Sequence, residues 1–67
     1  MNKKRLEAEM KLYGDTGSSL AEYLDMSRST LSLKINGKSD FSQKEICSIK
    51  ARYRLKAEDI DCIFFSI

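Results

Sequence analysis

Apolar residues recur along the chain at the three- and four-residue spacing of one face of an α-helix, and they do not alternate as in a β-strand. Five segments carry this spacing, and residues that favour caps or turns bound each of them. The pattern predicts helices over about 2–13, 18–24, 28–35, 42–53 and 57–64. We therefore expect a single all-α domain, a compact five-helix fold over residues 1–67, without repeats or linkers.

The helix ends carry recognisable signals. Gly14 follows the first helix, where a left-handed cap suits glycine. Ser18 and Ser19 are competing caps for the second helix, and the pattern does not choose between them. The expected caps of the third and fourth helices are Ser27 and Ser42.

The stretch from 18 to 38 predicts two short helices joined by about three residues. The small side chain of Ala21 would let the two helices approach closely, and Met26 would fill the corner between them. Such a pair is what a helix-turn-helix requires, with helices 2 and 3 as its members.

The outward face of the third helix carries candidate chemistry. With Leu31 and Ile35 directed inward, Ser29 and Leu33 point away from the core, and Arg28 lies in the first turn. Short polar side chains let a helix approach base edges, and a leucine there would meet a thymine methyl. The alternative is that Leu33 is one ordinary surface leucine, which is common.

The distribution of charge favours a polyanionic partner. The net charge is only +2, but the segment 26–56 contains eight basic and two acidic residues. The last eleven residues hold three acids and no base. Any single lysine is an ordinary solvated charge, whereas the acid-free cluster that includes Lys34, Lys38 and Ser39 favours nucleic acid.

Composition argues against several other classes of protein. The chain has no histidine and no glycine-rich phosphate loop, so we expect neither an enzyme, a cofactor nor a metal site. No segment approaches the length of a membrane span, and we expect a cytoplasmic protein without a small-molecule ligand. Cys47 and Cys62 are expected as free thiols at or near the core.

The ordered set of residues resembles a known family. The chain reads Leu-Ala at 20–21, Ser27, Thr-Leu-Ser at 30–32 and Asn-Gly-Lys at 36–38, which resembles the helix-turn-helix of phage repressor and Cro-like (XRE-type) DNA-binding domains. The resemblance covers about 6–64, and the chain is similar to small standalone proteins of temperate phages of Gram-positive bacteria. It implies a sequence-specific regulator of transcription, with helix 28–35 in the major groove of double-stranded DNA.

The resemblance also implies residue roles. Base readout would fall to residues on and around the third helix: Ser27, Arg28, Ser29, Ser32, Leu33 and Asn36. Phosphate contacts would come from the start of the second helix and from the end of the third: Ser18, Ser19, Lys34, Lys38 and Ser39.

Two departures from the family pattern have structural consequences. Asp25 stands where the family has a turn glycine, so we expect it to adopt a left-handed or near-left-handed conformation. Its carboxylate would lie near the DNA-facing side and weaken phosphate approach. Lys34 stands where an apolar residue is common, so Ile35 must close the helix interface and rotate the third helix slightly.

The partner of the apolar tail stays open at this point. Such domains commonly dimerise on palindromic operators, and we name Ile63, Phe64, Phe65 and Ile67 as candidate dimer contacts. The alternative is that these side chains fold back to complete the core. A second function class is a protein-binding co-regulator or antirepressor that uses the same fold to bind another phage repressor.

Overall fold

The computed structural model describes residues 1–65, and within them the chain forms five helices and no strand. Every end lies within one residue of the prediction, which confirms the all-α fold. The helices are α1 (Lys3–Leu12), α2 (Gly17–Tyr23), α3 (Arg28–Ile35), α4 (Gln43–Arg52) and α5 (Ala57–Phe64).

A single core lies where the helical stripes meet. Contacts between α1 and α5 close one side of it, and contacts between α2 and α3 close another. The radius of gyration of the Cα atoms, 10.7 Å, matches the value of about 11 Å expected for a folded chain of this length. All five helices contribute to the buried set: Leu6, Met10, Leu20, Ala21, Leu31, Ile49, Tyr53, Leu55, Ile60 and Ile63.

Hydroxyl caps begin the middle helices, but the cap of α2 differs from the prediction. Ser27 and Ser42 cap α3 and α4 as expected. In α2 the cap is Thr16, whose hydroxyl accepts the Ser19 N–H at 3.1 Å while its own N–H donates to the Ser19 hydroxyl at 2.9 Å. Ser18 and Ser19 are therefore helical residues, and the prediction that one of them caps α2 is wrong. The Thr16 hydroxyl satisfies a free N–H group of the first turn, that of Ser19, so the helix begins at Gly17.

The expected burial of the two cysteines is wrong. Cys47 and Cys62 are both free thiols, and both are exposed. Tyr13 is half-exposed although its spacing places it on the apolar face of α1. Its ring instead packs over Tyr53, with 5.3 Å between the ring centroids.

Asp15 is the most heavily hydrogen-bonded side chain that joins separate parts of the fold. Arg52 donates to its carboxylate through Nε at 2.6 Å and through Nη2 at 2.7 Å. The hydroxyls of Tyr53 and Ser19 donate to it at 2.6 Å and 2.8 Å. Only 6% of the Asp15 side chain is exposed. The Arg52 guanidinium, helped by the two hydroxyls, holds the pKa of Asp15 well below its usual value, although burial acts to raise it.

Arg52 contacts α2 as well as the loop that precedes it. Its guanidinium lies over the ring of Tyr23, 4.3 Å from the centroid, and the Tyr23 hydroxyl donates to the Ser48 carbonyl at 3.2 Å. Arg52 therefore holds both ends of α2 against α4, through Asp15 at one end and Tyr23 at the other.

No helix in the described part of the chain is both long enough and apolar enough to cross a membrane.

We expect Asp15→Asn to lower the free energy of unfolding by about 2–4 kcal/mol, because it leaves the Arg52 charge without its buried partner. The folded pKa of Asp15 is lowered, so its stabilisation is complete above about pH 5 and is lost as the pH falls below the ordinary aspartate value. Urea denaturation from pH 7 to pH 3 should therefore show a smaller acid loss for the variant than for the wild type. The exposed Asp40→Asn is the control. An unchanged pH dependence in Asp15→Asn would contradict the assignment.

Candidate nucleic-acid interface

Helices α2 and α3 contact each other across a tight turn, as a helix-turn-helix requires. The N–H of Asp25 donates to the Glu22 carbonyl at 3.1 Å, and the N–H of Met26 donates to the Ala21 carbonyl at 3.0 Å. Asp25 has a φ of 57°, so its predicted left-handed conformation is confirmed. It lines a cleft against α4 that also contains the oppositely charged Lys44 and the like-charged Glu45.

The exposed face of α3 is polar apart from one leucine. Leu31 is buried beneath it, while 51% of Leu33 is exposed. Arg28, Ser29, Ser32 and Leu33 line one shallow depression of ≈ 460 Å³. Four of the six residues assigned to base readout therefore form a continuous surface, and α3 contains no acidic residue to oppose a phosphate.

The other two base-readout candidates are engaged within the protein. The Ser27 hydroxyl accepts the Thr30 N–H at 3.1 Å and donates to the Thr30 hydroxyl at 2.8 Å, as a helix cap does. The Asn36 amide nitrogen donates to the Ser32 carbonyl at 2.9 Å, and the amide oxygen accepts from Lys3 at 2.7 Å. Both side chains would have to exchange these bonds in order to contact a base.

The five phosphate candidates divide in the same way. Ser18, Lys38 and Ser39 are exposed. The Ser19 hydroxyl donates to Asp15 at 2.8 Å and accepts the Thr16 N–H at 2.9 Å. Ser19 therefore maintains the α2 cap and the Asp15 network, and its hydroxyl is not directed at a partner.

Lys34 belongs to the support of α3 rather than to its exposed face. Its ammonium lies 2.6 Å from the Glu45 carboxylate, and only 13% of the side chain is exposed. Burial acts to raise the pKa of Glu45, but the ammonium of Lys34 and the N–H of Ser42 together lower it by more. The pKa of Glu45 therefore lies below its usual value. Lys34 also approaches the ring of Phe41, 6.0 Å from the centroid. A charged pair thus joins α3 to α4 at the position where an apolar residue is common in the family pattern, and Ile35 packs against the core.

Sequence reasoning did not single out Lys3, which reaches the end of α3 from α1. The basic start of the chain was the available signal, but no local pattern relates position 3 to position 36. Lys3, Arg28 and Asn36 line a common cleft of ≈ 280 Å³ between α1 and α3, and Glu7 lines it with them.

The candidate dimer contacts have unequal environments. Ile63 is fully buried, as the fold-back alternative expects, so it is not a contact for a second chain. Phe64 is half-buried and meets Phe41 edge to face, with 5.4 Å between the centroids. Phe65 is 63% exposed, and Ile67 lies outside the described residues. Phe65 borders a largely apolar groove of ≈ 490 Å³ between α4 and α5.

No protein-family model, no curated protein and no solved structure matches this chain, so the geometry alone carries the functional argument. Within residues 1–65, no three His, Cys, Asp or Glu side chains are grouped as metal ligands.

We expect Lys34→Gln to lower the free energy of unfolding by about 1–2 kcal/mol, because it leaves the mostly buried Glu45 carboxylate unpaired. Lys38→Gln removes the same charge from an exposed side chain and should change stability by less than about 0.5 kcal/mol. Urea denaturation at pH 7 compares the two variants. Equal stability of both would contradict a supporting role for Lys34.

Proposed function

We propose that this protein is a sequence-specific regulator of transcription that places α3 in the major groove of double-stranded DNA. The observation that carries the proposal is the exposed α3 face, which forms one surface without acidic residues: Arg28, Ser29, Ser32 and Leu33. Contacts with α2 hold this helix in place. Hydrogen-bonding side chains of this length suit base edges, and a bare leucine suits a thymine methyl.

The dimensions of α3 fit this use. An α-helix with its side chains is about 10–12 Å in diameter, which fits the width of about 12 Å of the major groove. Arg28 lies in the first turn, where it can pair with the N7 and O6 atoms of guanine. Ser29, Ser32 and Leu33 follow along the same face.

Phosphate contacts in this proposal come from the exposed candidates Ser18, Lys38 and Ser39. Arg52 and Lys34 are paired with Asp15 and Glu45, so they add little to the attraction of a polyanion. The dependence of affinity on salt concentration should therefore be smaller than the eight basic residues at 26–56 suggest.

A second copy of the chain is the proposed occupant of the groove between α4 and α5. Phe41, Ile46 and the exposed Phe65 supply apolar surface, while Lys50 and Asp61 lie on its α4 and α5 sides. Across a two-fold axis, Lys50 of each copy can face Asp61 of the other. Such a homodimer would bind the two halves of a palindromic operator.

The second candidate function is a co-regulator or antirepressor that binds another repressor protein. The observation that favours it is the same groove, because an exposed aromatic beside apolar side chains also suits a protein of another sequence. In that case the α3 face would be dispensable, which separates the two proposals.

We expect Arg28→Ala to relax sequence preference. Its affinity for the best-bound fragment from the gene's own neighbourhood should fall about 10- to 100-fold, and for a random duplex only a few-fold.

Lys38→Ala should weaken both duplexes by a similar factor and reduce the salt slope by about one. Fluorescence anisotropy at two salt concentrations measures these quantities. Lys11→Ala, an exposed lysine outside both residue sets, is the control. Weak binding of the wild type to every duplex at low salt would favour the protein-binding function.

We expect the wild type to sediment as a dimer at high micromolar concentration and Phe65→Ser to sediment as a monomer, because the serine removes the exposed ring from the groove. Leu33→Ser, which removes an exposed apolar side chain from α3, should remain dimeric. A monomeric wild type would overturn the dimer and leave the groove to a protein of another sequence.

A further inference from the structure

The first turn of α1 contributes a positive charge at the end of α3. The ammonium of Lys3 donates to the Asn36 amide oxygen at 2.7 Å, although 33 positions separate them in the chain. Asn36 is the C-cap of α3, so Lys3 lies beside the end of that helix opposite to Arg28. A positively charged side chain therefore lies beside each end of α3, Arg28 from α3 itself and Lys3 from α1.

The position of Lys3 is set by contacts on both sides of it. The Asn2 side chain caps α1 by accepting the Arg5 N–H at 3.1 Å, and the Asn2 N–H donates to the Ile63 carbonyl at 2.6 Å. Arg5 is bonded to Asp59 of α5 at 2.9 Å. The first turn of α1 is thus fixed to α5, and Lys3 projects from it towards α3.

Hydrogen bonds at both ends of the Asn36 amide fix its orientation. Its nitrogen donates to the Ser32 carbonyl at 2.9 Å and lies 3.3 Å from the Ser32 hydroxyl, which leaves the oxygen to face Lys3. Reading adenine would require both the nitrogen and the oxygen of this amide. An amide with both ends in use is better suited to holding a lysine than to reading a base.

We propose that Lys3 is a phosphate-binding residue at the C-terminal end of α3, and that Asn36 is a positioning residue that holds it there rather than a base reader. The inference rests on the proposed function. The N-terminal residues of a recognition helix contact the base edges, and the C-terminal end of α3 lies about 12 Å farther along its axis, where the sugar–phosphate backbone is the nearer part of the duplex. Lys3 then meets a phosphate, and Asn36 contributes equally to binding of every sequence.

Glu7 supplies a charge of opposite sign for the test. It lines the cleft between α1 and α3 together with Lys3 and Arg28, one helical turn after Lys3. A carboxylate there repels an approaching phosphate, so Glu7→Gln should strengthen binding to a random duplex while Lys3→Gln weakens it.

The decisive experiment is the salt dependence of binding to a random-sequence duplex, compared between Lys3→Gln and Lys4→Gln. Both variants remove one charge from adjacent exposed positions of α1, but only Lys3 is held at α3. Loss of one phosphate contact lowers the salt slope by about 0.9, so between 50 and 200 mM salt Lys3→Gln should lose about threefold less affinity than the wild type. Lys4→Gln should keep the wild-type slope.

Asn36→Ala separates positioning from base readout. We expect it to weaken the best-bound genomic fragment and the random duplex by the same factor, and the double variant with Lys3→Gln to bind no more weakly than Lys3→Gln alone. Thermal unfolding should be nearly unchanged in Lys3→Gln, because the bond it removes is exposed.

Three outcomes would overturn the proposal. If Lys3→Gln keeps the wild-type salt slope while the wild type binds DNA, Lys3 is not a phosphate contact and the proposed function stands. If Asn36→Ala weakens only the preferred fragment, Asn36 reads a base. If the wild type binds no duplex at low salt, the proposed function falls and this inference falls with it.

Discussion

The bridge from Asp15 to Arg52 is the constraint on which the rest of the structure depends. Asp15 precedes α2 and Arg52 ends α4, so the four hydrogen bonds to this carboxylate set where the helix-turn-helix sits on the remaining helices. Stacking of Arg52 on Tyr23 fixes the other end of α2. A chain of 67 residues has a small apolar core, so a buried charged pair with all its partners in place contributes a large share of its rigidity.

Basic residues of this protein fall into two groups with different consequences. Arg5 joins α1 to α5 through Asp59, Lys34 joins α3 to α4 through Glu45, and Arg52 joins α4 to the loop before α2 through Asp15. Others remain exposed around α3, among them Arg28 and Lys38. The first group makes α3 a fixed platform, and the second supplies charge for a partner. A count of lysines and arginines cannot separate the groups, because the acidic partners of the first group are distant in the sequence.

The proposed DNA-binding face is assembled from more than one helix. Arg28, Ser29, Ser32 and Leu33 come from α3, and Lys3 reaches it from α1 because α5 holds the first turn of that helix. The groove bordered by Phe65 lies between α4 and α5. The proposed contacts with DNA and with a second copy are therefore built from different helices, which lets a dimer form without covering α3.

The sequence by itself determined the secondary structure of this protein. Helical spacing, the serine caps at 27 and 42, and the turn at Asp25 are local signals, so the five helices and the outward face of α3 were predictable within a residue. Only the tertiary structure decided which charged and polar side chains are paired within the protein and which remain exposed to a partner. It paired Lys34 with Glu45, engaged Ser19 with Asp15, buried Ile63 and brought Lys3 to Asn36. The physical reason is that a side chain's free energy depends on neighbours distant in sequence, whereas helix formation depends mainly on residues three or four positions away.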